Sequence, residues 1–179
     1  MLLNSGNENI IIGYDLTNTC SQISYRYLKD GCDVETLTLV PGQENYDIPT
    51  VLCKKCGANQ WLFGREAVRF YENDPLEGIL VDDLLQLAIR GEMIQVGGKG
   101  YDPVALLTLF VKRSLGLLSG VATVDRIYAI LFTCEDLSPR LIEVLTMVVN
   151  GLELRNTKVF FQNYLLYLQE CIHSLTTPF

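Results

Sequence analysis

Histidine is nearly absent from this sequence, whose 179 residues include a single copy, His173. Hydrolases with a nucleophilic serine or cysteine need a base positioned beside that nucleophile, and no such constellation can be recognised around His173. We therefore expect His173 to be a surface residue of the last helix, and the sequence gives no sign of a catalytic triad.

Long apolar runs and basic clusters are missing too. No segment approaches the roughly 18 unbroken apolar residues of a membrane span, and residues 1–9 lack the basic start and apolar stretch of a signal peptide. The 14 Lys and Arg against 21 Asp and Glu give a formal net charge of −7. Because an acidic chain repels nucleic acid and anionic membranes, we expect neither as a partner, and we expect a cytoplasmic location.

The six cysteines are scattered through the chain, at positions 20, 32, 53, 56, 134 and 171. This spacing does not resemble a secreted disulfide framework, so free thiols are expected. Hydrophobic residues make up 49% of the chain, which excludes disorder over most of its length and predicts apolar surface for a partner.

One cysteine pair, Cys53 and Cys56, is followed by Gly57 at a predicted hairpin and resembles half of a zinc knuckle. A structural zinc needs four ligands, and the sequence holds no second close pair. A redox Cys-x-x-Cys usually opens a helix, which a hairpin does not provide. Zinc and redox roles stay open beside two ordinary thiols, which the pattern favours.

The first part of the chain predicts three antiparallel strands. An apolar strand from Ile10 ends with Asp15 at a polar turn of residues 17–19, a second strand covers 23–28, and a third covers 34–40. An inserted region follows, with a strand at 48–52, a turn and return strand to 64, helices at 65–72 and 81–91, and a hairpin at 93–101.

The second part alternates helices and strands. Asp102 and Pro103 predict the start of a helix that ends near 120, and Ser138 with Pro139 begins another that ends at Gly151. Strands at 126–132, buried on both faces, and 159–161 predict a parallel sheet, and a last helix covers 164–175. The predicted fold is α/β: a ribonuclease-H-like mixed sheet, with three antiparallel strands and then parallel crossover strands, flanked by helices.

Four stretches in register resemble the actin, sugar kinase and heat-shock chaperone superfamily, above all the DnaK-type chaperones. Residues 11–21 resemble the first phosphate loop of this superfamily, and residues 48–67 resemble its Pro-Ser-x-Val hairpin. Residues 94–103 resemble the Gly-Lys-x-Tyr-Thr-Pro segment that leads into a helix, and residues 126–152 resemble the Val-Thr-Val-Pro strand with the helix after it. The resemblance implies a first lobe, with its core at about 8–40 and 102–177, an inserted subdomain at about 41–101, and the second lobe absent.

The resemblance also implies a phosphate and Mg²⁺ site at Asp15, Thr17, Asn18 and Thr19. ATP or ADP with Mg²⁺ is expected in the complete protein and no cofactor in this half alone. Taken without the other motifs, Asp15 is better explained as a turn residue that bonds local amides.

Two family positions are degenerate, since the catalytic lysine corresponds to Val68 and the acidic residue after the last strand to Asn163. Thr17 also replaces a glycine that lets the backbone approach phosphate. We expect weak or absent ATPase activity in a divergent nucleotide-binding protein. The alternative is a non-catalytic interaction or scaffold module on the same fold, whose partner is another protein, the missing lobe or a second copy.

Overall fold

The computed structural model describes residues 9–29, 31–40, 42–135, 137–154 and 156–163. The strands, in chain order, are β1 (Ile10–Leu16), β2 (Cys20–Tyr27), β3 (Glu35–Thr36), β4 (Ile48–Pro49), β5 (Leu52–Lys55), β6 (Trp61–Phe63), β7 (Gly78–Val81), β8 (Ile94–Val96), β9 (Lys99–Tyr101), β10 (Ile127–Cys134) and β11 (Lys158–Asn163). The α-helices are α1 (Gly64–Asn73), α2 (Leu84–Arg90), α3 (Pro103–Gly116) and α4 (Pro139–Gly151).

The main sheet is mixed and has the order β11-β10-β1-β2-β3, with β4 also paired to β2. The strands β1, β10 and β11 run parallel to one another, whereas β2 is antiparallel to β1, β3 and β4. Helices flank this sheet, so the prediction of an α/β fold with an antiparallel beginning and later parallel crossovers is confirmed.

The core lies between one face of this sheet and the helices α3 and α4. Side chains of a strand alternate between its two faces, and every second residue of β1 is buried: Ile10, Ile12, Tyr14 and Leu16. The Tyr14 hydroxyl lies 2.6 Å from that of Ser114 on α3, which joins the sheet to this helix. The buried side of α4 belongs to the same apolar cluster.

Both long helices begin at the predicted residues. The Asp102 carboxylate accepts a hydrogen bond from the Val104 amide at 2.9 Å, and the Ser138 hydroxyl accepts one from the Leu141 amide at 3.2 Å. Each cap is followed by a proline, whose missing N–H costs nothing at the first helical position. The sequence therefore predicted both starts correctly.

The inserted region differs from its prediction in two ways. The single strand expected at 48–52 is two strands: β4 joins the main sheet, and β5 lies in a second sheet of order β6-β5-β7. The strand β7 was missed, because Val81 was assigned to a helix that begins only at Leu84. The turn at 56–59, the helix α1 and the β8–β9 hairpin are confirmed.

Three further expectations need correction. The third strand, expected over 34–40, is reduced to Glu35–Thr36. Asp15 lies within β1, one residue before its end, and not in the turn itself. The strand β10 is not buried on both faces, since Tyr128 is 40% exposed. The predicted last helix at 164–175, with His173, lies outside the described residues.

One helical stretch, Pro103–Gly120, is long and apolar enough by composition to cross a membrane, with a mean hydropathy of 1.3 over 18 residues. It comprises α3 and the short turn after it, and seven α3 residues are buried in the core. A core helix passes the same test of length and composition, so this finding is weak evidence for a membrane span.

Candidate functional site

The candidate site lies at one edge of the main sheet, where its parallel strands end. Asp15 pairs in register with Thr133 of β10, and Cys134 pairs with Asn163 of β11. The carboxyl ends of β1, β10 and β11 therefore meet at this edge. In open α/β sheets, ligands bind in the crevice outside the carboxyl ends of the strands.

Asp15 is the acidic centre of this edge. The Thr133 hydroxyl donates a hydrogen bond to its carboxylate at 3.3 Å. Partial burial raises the pKa of the Asp15 carboxyl group, the Thr133 hydrogen bond opposes that rise, and the nearby Glu135 carboxylate adds to it. Two carboxylates that repel each other at a crevice favour the approach of a cation.

A cavity of about 270 Å³ lies beside this edge, between the β1–β2 turn, α2 and the beginning of α4. Its lining combines polar groups with apolar side chains, as follows: Leu16, Thr17, Asn18, Leu85, Gln86, Ile89, Cys134, Glu135, Ser138 and Leu141. The structure thus brings the predicted turn and the end of β10 together around one space.

The predicted phosphate turn is bonded largely to itself. The Thr17 hydroxyl accepts hydrogen bonds from the amides of Thr19 and Cys20, at 3.3 and 3.1 Å, and donates one to the Cys20 carbonyl at 2.7 Å. The Thr17 amide also donates to that carbonyl, at 3.1 Å. A phosphate cradle needs backbone amides that point outward, so phosphate would compete with these bonds.

The Asn18 side chain forms its hydrogen bond with α2 and not with its own turn. Its side-chain carbonyl oxygen accepts a hydrogen bond from the Gln86 amide at 3.0 Å, in the first turn of α2. The local cap residue of this helix, Asp83, has a φ of 50° and makes no capping bond through its side chain. Asn18 therefore serves as the polar cap of α2, and it fixes α2 against the candidate site.

The two degenerate positions lie in different places. Asn163 is the last residue of β11 and lies on the carboxyl edge with Asp15. Val68 lies half-buried on α1, in the inserted region, and offers no polar group. Its neighbour Arg69 lines a separate cavity of about 270 Å³ beside Phe63 and Leu117.

Sequence reasoning missed the contribution of β10 and α4 to the site. Thr133 and Glu135 supply polar groups, and Cys134 is buried between them. Burial, with a smaller effect from the Asp15 charge, raises the pKa of the Cys134 thiol to about 12, so this thiol is neutral at pH 7. Polar residues directly after a strand expected to be parallel and buried were the available signal.

The cysteine pair of the inserted region is split between two environments. Cys53 is buried on β5 and Cys56 is exposed at the turn, and burial raises the pKa of the Cys53 thiol. Among the described residues, no three His, Cys, Asp or Glu side chains are grouped so that they could hold a metal ion. The zinc and redox hypotheses gain no support from this geometry.

The fold and its edge crevice define an α/β protein with a mixed sheet. Residues 33–166 match a family of unknown function, the C-terminal part of DUF5716, and this match covers about three quarters of the chain. The chain therefore belongs to that family. The matched region starts after β2, so Asp15 and the turn at 17–19 lie before it. A comparison with curated proteins gives no match.

Proposed function

We propose that the chain is a nucleotide-binding lobe of the ribonuclease-H-like, actin-type class, which binds a magnesium nucleotide weakly and does not hydrolyse it. The observation that carries the proposal is the place of Asp15, at the carboxyl edge of β1 and hydrogen-bonded to Thr133 of the parallel neighbour. The order β3-β2-β1-β10-β11, with antiparallel pairings on one side of β1 and parallel ones on the other, supports the same class.

The chemistry of Mg²⁺ fits this edge. Mg²⁺ prefers oxygen ligands, keeps several waters, and is commonly bound by one or two carboxylates together with the phosphates of a substrate. Asp15 and Glu135 are close enough for the Glu135 charge to raise the pKa of Asp15, and a cation near both would relieve that repulsion. Because Asp15 and Glu135 are the two carboxylates that the described residues bring to this edge, the metal would arrive with a nucleotide.

The cavity explains why binding would be weak. Its volume of about 270 Å³ is below the range of ligand pockets, about 300 to 1,000 Å³, and suits phosphates better than a whole nucleotide. The internal bonds of Thr17 would also have to break for its turn to hold a phosphate. The adenosine part would rest on a second lobe, as the resemblance implies.

The proposed site lacks two polar groups that support ATP hydrolysis in the resembled family. Val68 and Asn163 stand where the resembled family has a lysine and an acid, and neither side chain is charged or can act as a general base. With a magnesium nucleotide bound, Asp15 would hold a water of the metal, and Val68 and Asn163 would offer no base to activate an attacking water. The proposal is therefore a binding lobe and not an ATPase.

Binding is tested by paramagnetic relaxation. Mn²⁺, which can take the place of Mg²⁺, is added to ¹⁵N-labelled protein with and without ADP. The broadening of the amide signals is then followed by NMR. We expect saturable broadening at residues 15–18 and 133–135, stronger with ADP, and a loss of at least tenfold in apparent affinity in Asp15→Asn. The exposed Asp125, at the other end of β10, provides the control Asp125→Asn, which should bind like the wild type.

Two results would overturn the binding proposal: no saturable broadening at millimolar nucleotide, or broadening that Asp15→Asn leaves unchanged. Hydrolysis is tested separately, by phosphate release from Mg-ATP. We expect release at the rate of the protein-free control. Turnover that disappears in Asp15→Asn would show that the lobe is catalytic.

A protein-interaction module is the second candidate, favoured by an apolar face of the main sheet. The face of β10 and β11 that points away from α3 and α4 holds a concavity of about 600 Å³, lined mainly by apolar side chains. Phe160 is 53% exposed there and Tyr128 is 40% exposed. Apolar association through this face would persist in 1 M NaCl and be lost in Phe160→Ser, as measured by sedimentation velocity. A monomer under all these conditions would contradict it.

A further inference from the structure

A second feature, independent of the nucleotide site, is a groove of about 440 Å³ between the β5–β6 turn and the β8–β9 turn. We call it the lysine groove. Its rim carries Lys54, Lys55 and Lys99, and its apolar floor is formed by Ile79, Val96 and Tyr101. The Trp61 and Tyr101 rings meet edge to face at 5.2 Å, which joins the two hairpins and fixes the width of the groove.

The three lysines are held in place by aromatic rings. Their ammonium groups lie over these rings at centroid distances of 5.7 Å (Lys54 over Trp61), 4.9 Å (Lys55 over Phe70) and 5.5 Å (Lys99 over Tyr101). Lys54 also donates to the Ala58 carbonyl at 2.5 Å. Side chains that are already ordered lose less entropy when they bind a partner.

The side chains that line the lysine groove carry positive charge and no negative charge. No Asp or Glu is among its lining residues, and no ion pair within the described residues joins any of its lysines to a carboxylate. This is a local excess of positive charge in a chain whose net charge is −7. A complementary ligand would offer carboxylates around an apolar group.

The same chain offers such a ligand at the turn of residues 74–77, which we call the acidic turn. The Glu77 amide donates to the Asp74 carbonyl at 3.2 Å, and Pro75 occupies the second position, where its fixed φ stiffens a β-turn. Leu76, at the tip, is 89% exposed, more than any other large hydrophobic residue in the described part of the chain. The turn therefore presents a rigid apolar tip between two carboxylates.

The acidic turn and the lysine groove are neighbours. The Cys56 amide, at the rim of the groove, donates to the Glu77 carbonyl at 2.8 Å. The exposure of Leu76 shows that it does not occupy its own groove. Two complementary patches side by side form a self-complementary surface, on which two copies can exchange turns about a two-fold axis.

We propose that the lysine groove binds the acidic turn of a second copy of this chain, with Leu76 on the apolar floor and Asp74 and Glu77 facing the lysines. Each ion pair at such an exposed site contributes little. The dimer is therefore weak, forms at high protein concentration, and is weakened by salt, which screens exposed charges.

Charge exchange tests the pairing. Sedimentation velocity at low ionic strength compares the wild type with Lys99→Glu and Glu77→Lys. Each variant alone should raise the dissociation constant at least tenfold. An equimolar mixture should associate like the wild type, because the reversed groove accepts the reversed turn while the two unchanged patches pair with each other. The controls Lys112→Glu and Glu44→Lys carry the same charge changes at exposed positions elsewhere and should leave association unchanged.

The apolar tip has its own variant, Leu76→Ser. Because Leu76 is exposed in the monomer, this change should leave the thermal midpoint unchanged and abolish association. Three results would overturn the proposal: a monomer at millimolar wild-type protein in low salt, association that Lys99→Glu and Glu77→Lys leave intact, or a mixture that fails to restore it. None of these results bears on nucleotide binding at Asp15.

Discussion

The side-chain carbonyl oxygen of Asn18 accepts a hydrogen bond from the backbone amide of Gln86 at 3.0 Å, across 68 positions of the chain. This bond joins the β1–β2 turn to the first turn of α2. The turn that resembles a phosphate loop is therefore also the anchor of a helix in the inserted region. A ligand that displaced Asn18 would release the beginning of α2.

The anchor predicts a stability effect for Asn18→Ala. Loss of the cap leaves the Gln86 amide without its partner, so the free energy of unfolding should fall by about 1 kcal/mol, the usual cost of a lost helix cap. Urea denaturation followed by circular dichroism measures the change. Asn18→Asp keeps an acceptor oxygen, and its charge is favourable at a helix N-terminus, so it should be as stable as the wild type. Equal stability of Asn18→Ala would disprove the anchor.

Tyr14 predicts a loss of stability at alkaline pH. Burial raises the pKa of its hydroxyl to about 12, against about 10 in an unfolded chain. Because the folded pKa is the higher one, protonated Tyr14 contributes its full share to the free energy of unfolding below pH 10. This share is lost as the pH rises from about 10 to 12, and the total loss is about 3 kcal/mol. Tyr14→Phe should remove this part of the pH dependence in urea unfolding at pH 8 and pH 11.

Two comparisons keep the Tyr14 prediction testable. At neutral pH, Tyr14→Phe removes one buried hydrogen bond and should cost about 1 kcal/mol. Ser114→Ala should also destabilise the protein at neutral pH but retain the alkaline loss, since Tyr14 is still present. An unchanged alkaline loss in Tyr14→Phe would assign that loss to another group.

Thr50 predicts a substitution that does not destabilise. Its hydroxyl is fully buried and has no hydrogen-bond partner within the described residues. An unsatisfied buried polar group costs about 1 to 3 kcal/mol, so Thr50→Val, of similar shape, should equal or exceed the wild type in free energy of unfolding. Thr50→Ser keeps the hydroxyl, loses a methyl group and should cost about 1 kcal/mol. A large destabilisation in Thr50→Val would reveal a hidden partner.

The cysteines predict an order of chemical labelling. The thiolate is the reactive form, so among the five cysteines that the structure describes, Cys56, exposed at its turn, should react first with iodoacetamide at pH 8. Cys53 and Cys134 should react last, because both are buried and burial raises the pKa of each thiol. Mass spectrometry of peptides after timed quenching gives the rates, and protein in urea should show no such difference. Early labelling of Cys134 would contradict the buried environment described for it.

The sequence predicted those helices and strands whose formation depends on neighbouring residues. The caps Asp102 and Ser138, each followed by proline, gave the starts of α3 and α4, and apolar runs gave β1, β10 and β11. The missed strand β7 packs closely against a distant partner: a Cβ at Gly78 would lie 2.7 Å from the Cys53 sulfur, so a larger residue there would force the Cys53 side chain to shift. Nothing in the sequence around Gly78 signals that partner.

The candidate site also has a part that the sequence predicted and a part that it did not. Asp15 and the turn at 17–19 could be placed from the sequence, because the apolar strand before them is continuous. The bond from Asn18 to Gln86 and the meeting of Asp15 with Thr133 join residues far apart in the chain, for which no spacing rule exists. Chemistry at the site therefore depends on contacts that only the fold creates.

The β1–β2 hairpin has a consequence for where this domain can be divided. Residues 33–166 match the family, yet their backbone depends on partners before residue 33: the amides of Leu37, Thr50 and Gln86 donate to Ile23, Thr19 and Asn18. Without the hairpin, β10 would also lose a parallel neighbour and expose a hydrogen-bonding edge in the middle of the sheet. A fragment that keeps these hydrogen bonds therefore includes β1 and β2, which lie before the boundary of the family match.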